Sequence, residues 1–490
     1  MVATRSDAGS AGSPTQTTLP SPTTLPSAPD LPPGTSSPEA PETTKPSPSE
    51  PSSVGDGIGD ALYPDLGNPG LDVLDYDVAV TYDPAVDSIA GSVTLMIQIT
   101  ADRSEFTLDS LGPDVSSVQI DGVDVGFAQE PPELRITPAA ALSAGDTIEV
   151  RVDYTVSPQS STSSVGLPTG WIHTSDGSWV LNEPDGARTW LPSNDHPIDK
   201  ATWTVAVTVP TGTAAVANGA LVSSTESESG STWVWREDIP MSTYLVLLVT
   251  GDYELVEGTG PNGLPLLSTV LRSDRAVMAP FLDSIDDQID FFDDLFGPFP
   301  LDRYGIAMID SVGGLAMETQ GRSFFSRDDF STGDLGYLQE LLLAHELAHQ
   351  WFGDAVSPAA WTDIWLNESF ATYAQWLWLD HLGLSNLDDE ANGALSGRQD
   401  GSGDPTGSPS VDGLFGFNSY DGGAVVVHAL RLTIGDDRFF ELLQRWVAEN
   451  NGTSRSTADF IALAEEVSGG DLTAFFDNWL FARQIPSSFP

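Results

Sequence analysis

Cysteine is absent from the 490 residues of the chain. Its absence excludes a disulfide framework, a thiolate metal site and a cysteine nucleophile. Lysine is nearly absent as well, because only Lys45 and Lys200 are present. The formal net charge is -52, and a field of that sign repels nucleic acid and anionic membrane surfaces. The composition therefore argues against both of these partners.

Long apolar runs are missing too: no stretch reaches the ~20 residues that span a bilayer. The N-terminus, MVATRSDAGS, lacks the apolar core of a signal peptide. Residues 1–60 are dominated by Ser, Thr, Pro and Gly, a composition that cannot bury a core, so we expect a disordered tail. Two interpretations stay open. The composition favours a stalk on an extracellular or cell-surface protein, and the alternative is a plain tail on a cytoplasmic one.

Residues 61–256 carry the alternation of half-buried strands. Apolar residues stand at every second position in 93–99, 148–152 and 203–209. Turn dipeptides such as Gly-Pro, Asp-Gly and Asn-Gly separate the runs. This pattern predicts a first domain made of an antiparallel β-sandwich or a saddle-shaped sheet.

Residues 257–490 change to helical periodicity. Apolar spacing predicts helices at 281–296, 335–352, 366–382, 424–432, 437–449, 457–468 and 472–482. A strand is expected at 301–309 and a loop rich in Gly and Pro at 400–416. The predicted fold class is therefore multidomain, a β domain followed by a mainly helical α+β domain.

Two histidines stand four residues apart in the sequence HELAH, at His345 and His349. On a helix, positions i and i+4 share a face, so both imidazoles can reach one metal ion. A helix with two hydrogen-bonded core histidines is the alternative. It is weakened by the histidine count, because the chain has only 6 and two of them stand at this spacing.

A third ligand is needed for a catalytic metal site, and Glu368 can supply it from the next predicted helix. Two antiparallel helices joined by the intervening loop bring Glu368 against His345 and His349. Two histidines and a glutamate are a zinc ligand set that leaves a fourth position open. We expect one Zn²⁺ per chain, with Glu346, between the two histidines, as the general base.

The segments HELAHQWFGD at 345–354 and WLNESFA at 365–371 resemble the zinc signature of the gluzincin aminopeptidases, which include alanyl aminopeptidase and leukotriene hydrolase. The likeness extends from about residue 76 to 485. It implies a β-rich domain followed by a thermolysin-like catalytic domain. The large C-terminal helical domain of longer members is not expected here, and the short form implies a more open cleft.

Further site residues follow from this resemblance. LAMET at 315–319 is similar to the exopeptidase motif of the family, which assigns Glu318 to the free α-amino group of the substrate. NEPDGAR at 182–188 resembles a block in the β-rich domain whose glutamate, here Glu183, also points at that amine. Met317 is a candidate for lining the pocket of the first side chain, with core packing as the alternative.

FNSYDGGA at 417–424 looks like the catalytic-tyrosine block of the family. The resemblance assigns to Tyr420 the stabilisation of the oxyanion, with Tyr373 as the competing tyrosine. Three positions depart from the motifs: Leu315 stands for Gly, Thr319 for Asn and Gly422 for Lys.

The predicted function is that of a zinc aminopeptidase acting on peptides with free N-termini, as a monomer. Glu318 and Glu183 favour a positively charged amine next to the scissile bond, and an internal peptide would leave both carboxylates unpaired. Two alternatives are a thermolysin-like endopeptidase, which has no amine anchor, and a catalytically inactive, surface-tethered binding module.

Overall fold

The structure is a computed structural model that describes residues 57–158, 161–162, 168–311, 313–398 and 401–490. Of the predicted tail, residues 1–56 lie outside the described residues. No helix within these ranges is both long and apolar enough to cross a membrane.

Alternating apolar residues build the β-rich N-terminal part, as predicted. Val93, Leu95, Ile97 and Ile99 on β2 are all fully buried. The strands are β1 (Leu71–Asp83), β2 (Ser88–Ile99), β3 (Phe106–Asp109), β4 (Asp114–Ile120), β5 (Val123–Asp124), β6 (Gly126–Glu130), β7 (Glu133–Thr137), β8 (Thr147–Val156), β9 (Ser161–Thr162), β10 (Pro168–His173), β11 (Gly177–Leu181), β12 (Lys200–Val209), β13 (Ala214–Ala217), β14 (Ala220–Ser227), β15 (Gly230–Ser242) and β16 (Leu248–Gly251).

Three sheets arise from these strands. The largest has the order β14-β15-β12-β1-β2-β8-β4-β5, in which only the β1–β12 pair is parallel. The second has the order β13-β16-β11-β10-β9, and the third is β3-β7-β6. Tyr76 of β1 stacks on Trp203 of β12 with ring centroids 4.0 Å apart, which adds a specific contact to the parallel pair.

A mixed five-stranded sheet opens the second part, in the order β17-β18-β19-β21-β20. The predicted boundary between 256 and 257 falls inside β17, which pairs along its whole length with β18. A two-stranded sheet, β22-β23, lies further along the chain. These strands are β17 (Tyr253–Thr259), β18 (Pro265–Leu271), β19 (Ile306–Ile309), β20 (Ala316–Met317), β21 (Ser323–Ser326), β22 (Val356–Pro358) and β23 (Thr453–Arg455).

Helices dominate the rest of the chain, as the periodicity predicts. The α-helices are α1 (Arg275–Asp283), α2 (Ile285–Phe296), α3 (Tyr337–Ala348), α4 (Trp365–His381), α5 (Leu387–Arg398), α6 (Asp421–Ile434), α7 (Asp436–Asn450), α8 (Thr457–Ser468) and α9 (Thr473–Trp479). Short 3₁₀ helices lie at Ala187–Thr189, Thr243–Leu245, Pro261–Gly263, Arg272–Asp274, Arg327–Phe330, Trp361–Asp363 and Val411–Gly413.

Two expectations for the second part of the chain are wrong, one for a helix and one for a strand. The single helix predicted at 281–296 is two helices that meet at Ser284, whose hydroxyl donates to the Phe281 carbonyl at 2.9 Å. That bond occupies a carbonyl that a continuous helix would use. The strand predicted at 301–309 is confined to its last residues, β19. Helix α5 was not predicted, because its apolar residues do not form a clear stripe.

Candidate active site

Helix α3 and its C-terminal turn carry the two histidines. His345 lies in the last turn and His349 at the C-cap, still in helical geometry, so their ring centroids are 4.8 Å apart. The chain then turns sharply at Gly353, where φ is 133° and a Cβ would lie 3.1 Å from the Asn367 side chain. Only glycine fits this turn without strain.

Glu368 from α4 completes the cluster. Its Oε2 lies 3.3 Å from Nε2 of His345 and 3.5 Å from Nε2 of His349. All three side chains are fully buried, and one ligand atom from each lies within 4.8 Å of the others. The structure thus brings together the three residues that the sequence predicted as metal ligands.

Outer hydrogen bonds fix both imidazole rings. His345 Nδ1 donates to Gln375 Oε1 at 2.9 Å, and His349 Nδ1 donates to the Phe352 carbonyl at 3.0 Å. Each bond places the proton on Nδ1 and leaves Nε2 to face the cluster. The sequence reasoning missed Gln375. Its position on α4, two turns beyond Glu368 on the same face, was the available signal.

The donor set fits a zinc ion, because two imidazole nitrogens and a carboxylate oxygen converge in a buried pocket. Nε2 of His349 meets no hydrogen-bond partner in the described ranges. Burial lowers the pKa of His345 to about 4, which keeps its imidazole neutral. Burial acts in the same direction on His349, but the carboxylates of Glu318 and Glu368 outweigh it and raise the pKa of His349 to about 10. The pocket therefore favours a cation.

Glu346 projects from α3 into the same pocket. It is fully buried, and neither of its carboxylate oxygens has a hydrogen-bond partner among the residues described. Burial raises the pKa of Glu346 to about 8, and the nearby carboxylates of Glu318 and Glu368 act in the same direction. Its backbone is held by Ser323, whose hydroxyl donates to the Glu346 carbonyl at 3.2 Å.

Glu318 follows the edge strand β20 and is fully buried. Its carbonyl accepts a hydrogen bond from Gln350 Nε2 at 3.1 Å, which ties the strand end to the turn after α3. Glu318 forms a second close group with Glu346 and His349, again with ligand atoms within 4.8 Å of one another.

Glu183 approaches from the β-rich part, two residues after β11 ends. It is fully buried, and it joins Glu318 and Glu368 in a third group with the same 4.8 Å limit. Burial raises the pKa of Glu183 well above its usual value, and Glu318 adds to the effect. The neighbouring Asn182 fixes the segment, because its side chain donates to the Val246 carbonyl at 3.0 Å and accepts from Trp190 Nε1 at 2.9 Å.

Tyr420 precedes α6, and its ring lies nearly parallel to that of His345, with centroids 5.9 Å apart. Its hydroxyl is buried and finds no partner in the described part of the chain. Burial raises the pKa of Tyr420 well above 10, and the carboxylates of Glu368 and Glu183 raise it further, so the hydroxyl keeps its proton. The preceding carbonyl, of Ser419, accepts a hydrogen bond from Ser369 Oγ at 2.7 Å.

The competing tyrosine has other partners. Tyr373 Oη bonds to His428 Nδ1 at 3.1 Å and accepts from Arg431 at 3.3 Å. Met317 is fully buried in a large apolar cluster that also contains Phe324 and Trp361.

The motif departures have local explanations. Thr319 Oγ1 donates to the Arg322 carbonyl at 2.6 Å and closes a tight turn. Gly422 has no space for a side chain, since a Cβ there would lie 2.8 Å from Asn418 Oδ1 and 3.2 Å from Arg398 Cδ. Leu315 is a buried residue of the apolar cluster that contains Met317.

Two family domains match the chain. The peptidase family M1 domain matches residues 281–479, and the peptidase M1 N-terminal domain matches residues 73–245. Together they cover the β-rich part and the helical part that carries the predicted metal ligands.

Similar proteins are aminopeptidases and metallopeptidases. Aminopeptidase M1-B of Oryza sativa subsp. japonica is 26% identical over 467 residues, which cover 87% of this chain and 51% of the relative. Leucyl aminopeptidase of Saccharolobus solfataricus is 24% identical over 414 residues, which cover 80% of this chain and 51% of the relative. The chain spans about half the length of these curated relatives.

Solved structures match over nearly their full length, and one of them serves as the example. It is a mutant of an M1 zinc metallopeptidase from Deinococcus radiodurans, in a crystal structure bound to a Tyr-Ser-Ala substrate. The TM-score is 0.78 at 31% identity, covering 89% of this chain and 99% of that one. The order of a β-rich part followed by a helical part is therefore shared.

Proposed function

Because the chain belongs to peptidase family M1, we propose that it is a zinc-dependent aminopeptidase that hydrolyses the N-terminal peptide bond of peptides. The observation that carries this proposal is the convergence of Glu183 and Glu318 on the metal-ligand cluster. Both are fully buried, and within the described ranges none of their carboxylate oxygens has a hydrogen-bond partner. Such a pair needs a cation, and the α-ammonium of a peptide is one that fits.

His345, His349 and Glu368 would hold the zinc ion, one per chain. A zinc ion in this position supplies Lewis acidity, which makes water nucleophilic near neutral pH. Gln375 and the Phe352 carbonyl orient the two imidazoles through the Nδ1 protons.

Glu346 is the proposed general base. Its carboxylate takes a proton from the attacking water and returns it to the nitrogen of the leaving peptide. Burial between the two histidines of one helix limits the number of positions that the carboxylate can adopt. A fixed proton acceptor removes part of the entropic barrier of the reaction.

Tyr420 is the proposed donor to the developing oxyanion. The hydroxyl keeps its proton at neutral pH and is buried beside His345. A preorganised donor in a buried site stabilises negative charge more strongly than water does, because it needs no reorientation.

Glu183 and Glu318 would select the N-terminus. Two carboxylates bind the α-ammonium and place the first peptide bond next to Glu346. An internal segment offers no cation there, and leaving both carboxylates unpaired in a buried cleft costs several kcal/mol. We infer from this that substrates are peptides with free N-termini. Met317, close in sequence to Glu318, is proposed to border the pocket of the first side chain.

A comparison of L-leucine p-nitroanilide with its N-acetyl form tests the proposal. We expect kcat/KM to fall at least about 100-fold on acetylation, since the lost ion pairs are worth about 3 kcal/mol. Equal cleavage of the two compounds would support a thermolysin-like endopeptidase instead. No cleavage of either compound or of longer peptides, by zinc-loaded protein, would support an inactive binding module.

Two further proposals concern the chain as a whole. We propose a tail at 1–60, a β-rich domain at 61–256 and a catalytic domain at 257–490, which the family matches to 73–245 and 281–479 support. We also propose that the protein acts as a monomer, because all the site residues named above come from one chain. Sedimentation velocity combined with activity measured across protein concentrations tests this second point.

A further inference from the structure

The buried cleft contains more metal-ligating groups than one zinc ion uses. His345, His349 and Glu368 form the first group, and Glu183 and Glu318 meet Glu368 in another. In the group of Glu183, Glu318 and Glu368, one carboxylate oxygen from each residue lies within 4.8 Å of the other two. A cation bound there would share Glu368 with the zinc ion.

The group of Glu183, Glu318 and Glu368 has the features of a binding site rather than of an acidic surface patch. Glu183 and Glu318 are fully buried, and their four carboxylate oxygens lack hydrogen-bond partners throughout the described residues. Buried polar groups are ordinarily satisfied. Hydrogen bonds of Asn182 and Gln350 hold the backbone beside Glu183 and Glu318, respectively.

The charge balance points in the same direction. Glu183, Glu318, Glu346 and Glu368 place four carboxyl groups around the two histidines. A single divalent ion offsets two negative charges, so the remaining carboxyl groups must take up protons or a further cation when no substrate is present. Oxygen ligands from carboxylates suit divalent ions such as Mn²⁺ and also bind Zn²⁺.

We propose that Glu183, Glu318 and Glu368 form a second, lower-affinity site for a divalent transition-metal ion, adjacent to the resident zinc. The ion occupies the place that the substrate ammonium takes, so the two exclude each other. Excess metal therefore inhibits the enzyme in competition with substrate. This last consequence rests on the proposed aminopeptidase function, whereas binding of the ion does not.

Mn²⁺ is the probe that separates the two metal sites. It binds more weakly than zinc to a site containing imidazoles, so it leaves the first ion in place. Zinc-loaded protein is titrated with Mn²⁺, and the free ion is counted by electron paramagnetic resonance. Wild type is expected to bind one more Mn²⁺ than E183Q or E318Q does, while E133Q matches wild type.

Glu133 is a matched control because it is another buried carboxylate with an oxygen that lacks a partner, on β7 in the β-rich part. Mn²⁺ ions bound to the acidic surface are present in every variant, so they cancel when the number of ions bound by a variant is subtracted from that of wild type. The proposal would be overturned if wild type and both cleft variants bound the same number of Mn²⁺ ions. It would also be overturned if E133Q lost as many ions as the cleft variants.

Competition between Mn²⁺ and an amino-acid amide provides a second test. L-leucinamide carries the free ammonium and is expected to displace the additional Mn²⁺, whereas N-acetyl-L-leucinamide leaves it bound. Equal displacement by both compounds also contradicts the proposal. In kinetics, excess Mn²⁺ should raise the apparent KM at least about tenfold and leave kcat unchanged. Since Mn²⁺ binding is measured without turnover, the failure of this site and the failure of the proposed function are distinguishable.

Discussion

Asp60 and Trp361 lie 301 positions apart in the sequence, and the backbone N–H of Trp361 donates to Asp60 Oδ2 at 2.8 Å. The same carboxylate accepts from His196 Nε2 at 3.2 Å and from the N–H groups of Leu62 and Tyr63. Asp60 thereby joins the start of the described chain to the β-rich part and to the helical part.

This connection reaches the metal-ligand cluster. The Trp361 ring meets Tyr244 edge-on at 5.4 Å, and Tyr244 Oη donates to the Gly353 carbonyl at 3.0 Å. Tyr244 Oη also accepts from Asn367 Nδ2 at 3.2 Å. Gly353 terminates the turn after His349 and Asn367 precedes Glu368, so Asp60 supports the turn and the helix that hold the proposed ligands.

Replacing Asp60 with alanine should lower the free energy of unfolding by about 2–4 kcal/mol, because buried donors lose their acceptor. D60N keeps one acceptor oxygen and should lose less. Urea unfolding at pH 7 measures both. As a control, D252N removes an exposed carboxylate paired with Arg272 and should change stability by less than ~0.5 kcal/mol. An equal effect of D60A and D252N would show that Asp60 is not a structural link.

The contribution of Asp60 should also depend on pH. Burial tends to raise its pKa, but the hydrogen bonds from His196, Trp361, Tyr63 and Leu62 outweigh this and lower it to about 2. An unfolded aspartate has a pKa near ~3.9. The stabilisation is therefore complete above that value and is lost as the pH falls towards 2. The stability difference between wild type and D60N should shrink between pH 5 and pH 2.5, and a constant difference would contradict this assignment.

Glu346→Gln should abolish most of the turnover and leave zinc binding intact. Loss of a general base lowers kcat by about 10²–10⁴, with a small change in KM. Glu340 is a matched control, since it is a second buried glutamate on α3, bonded to Gln288 Nε2 at 3.0 Å and Trp378 Nε1 at 2.8 Å. E340Q should lower stability and keep kcat within about threefold. Unchanged turnover in E346Q would reject the mechanism.

Tyr420→Phe separates the two candidate tyrosines. Removing one oxyanion donor costs about 10²–10³ in kcat, so Y420F should show that loss with a nearly unchanged KM. Y373F removes a hydroxyl that bonds to His428 and Arg431 and should affect stability rather than kcat. If Y373F lost more turnover than Y420F, the assignment would be reversed.

Local sequence patterns predicted many of the helices and the histidine pair, whereas contacts between distant residues could not be predicted from the sequence. The spacing of His345 and His349 fixes their shared face, and the bounds of α8 agree with the predicted 457–468. Helix α5 was missed because glycines and acidic residues interrupt its apolar face. The link from Asp60 to Trp361 could not be predicted, since no periodicity relates residues so far apart in the chain.

Gln375 gives a test of how the outer hydrogen bonds tune the metal site. Its Oε1 accepts the Nδ1 proton of His345 at 2.9 Å, and α4 also carries Glu368, so one helix supplies a ligand and the support of another. Gln375→Met removes the acceptor at similar volume and should lower zinc affinity by about 10–100-fold. Gln375→Glu supplies a carboxylate acceptor instead, so its zinc affinity should equal or exceed that of wild type. Competition with a chelator, followed by metal analysis, measures both variants without any need for turnover. Equal zinc affinity in wild type and Q375M would mean that packing around α4, rather than this hydrogen bond, holds the His345 ring in place.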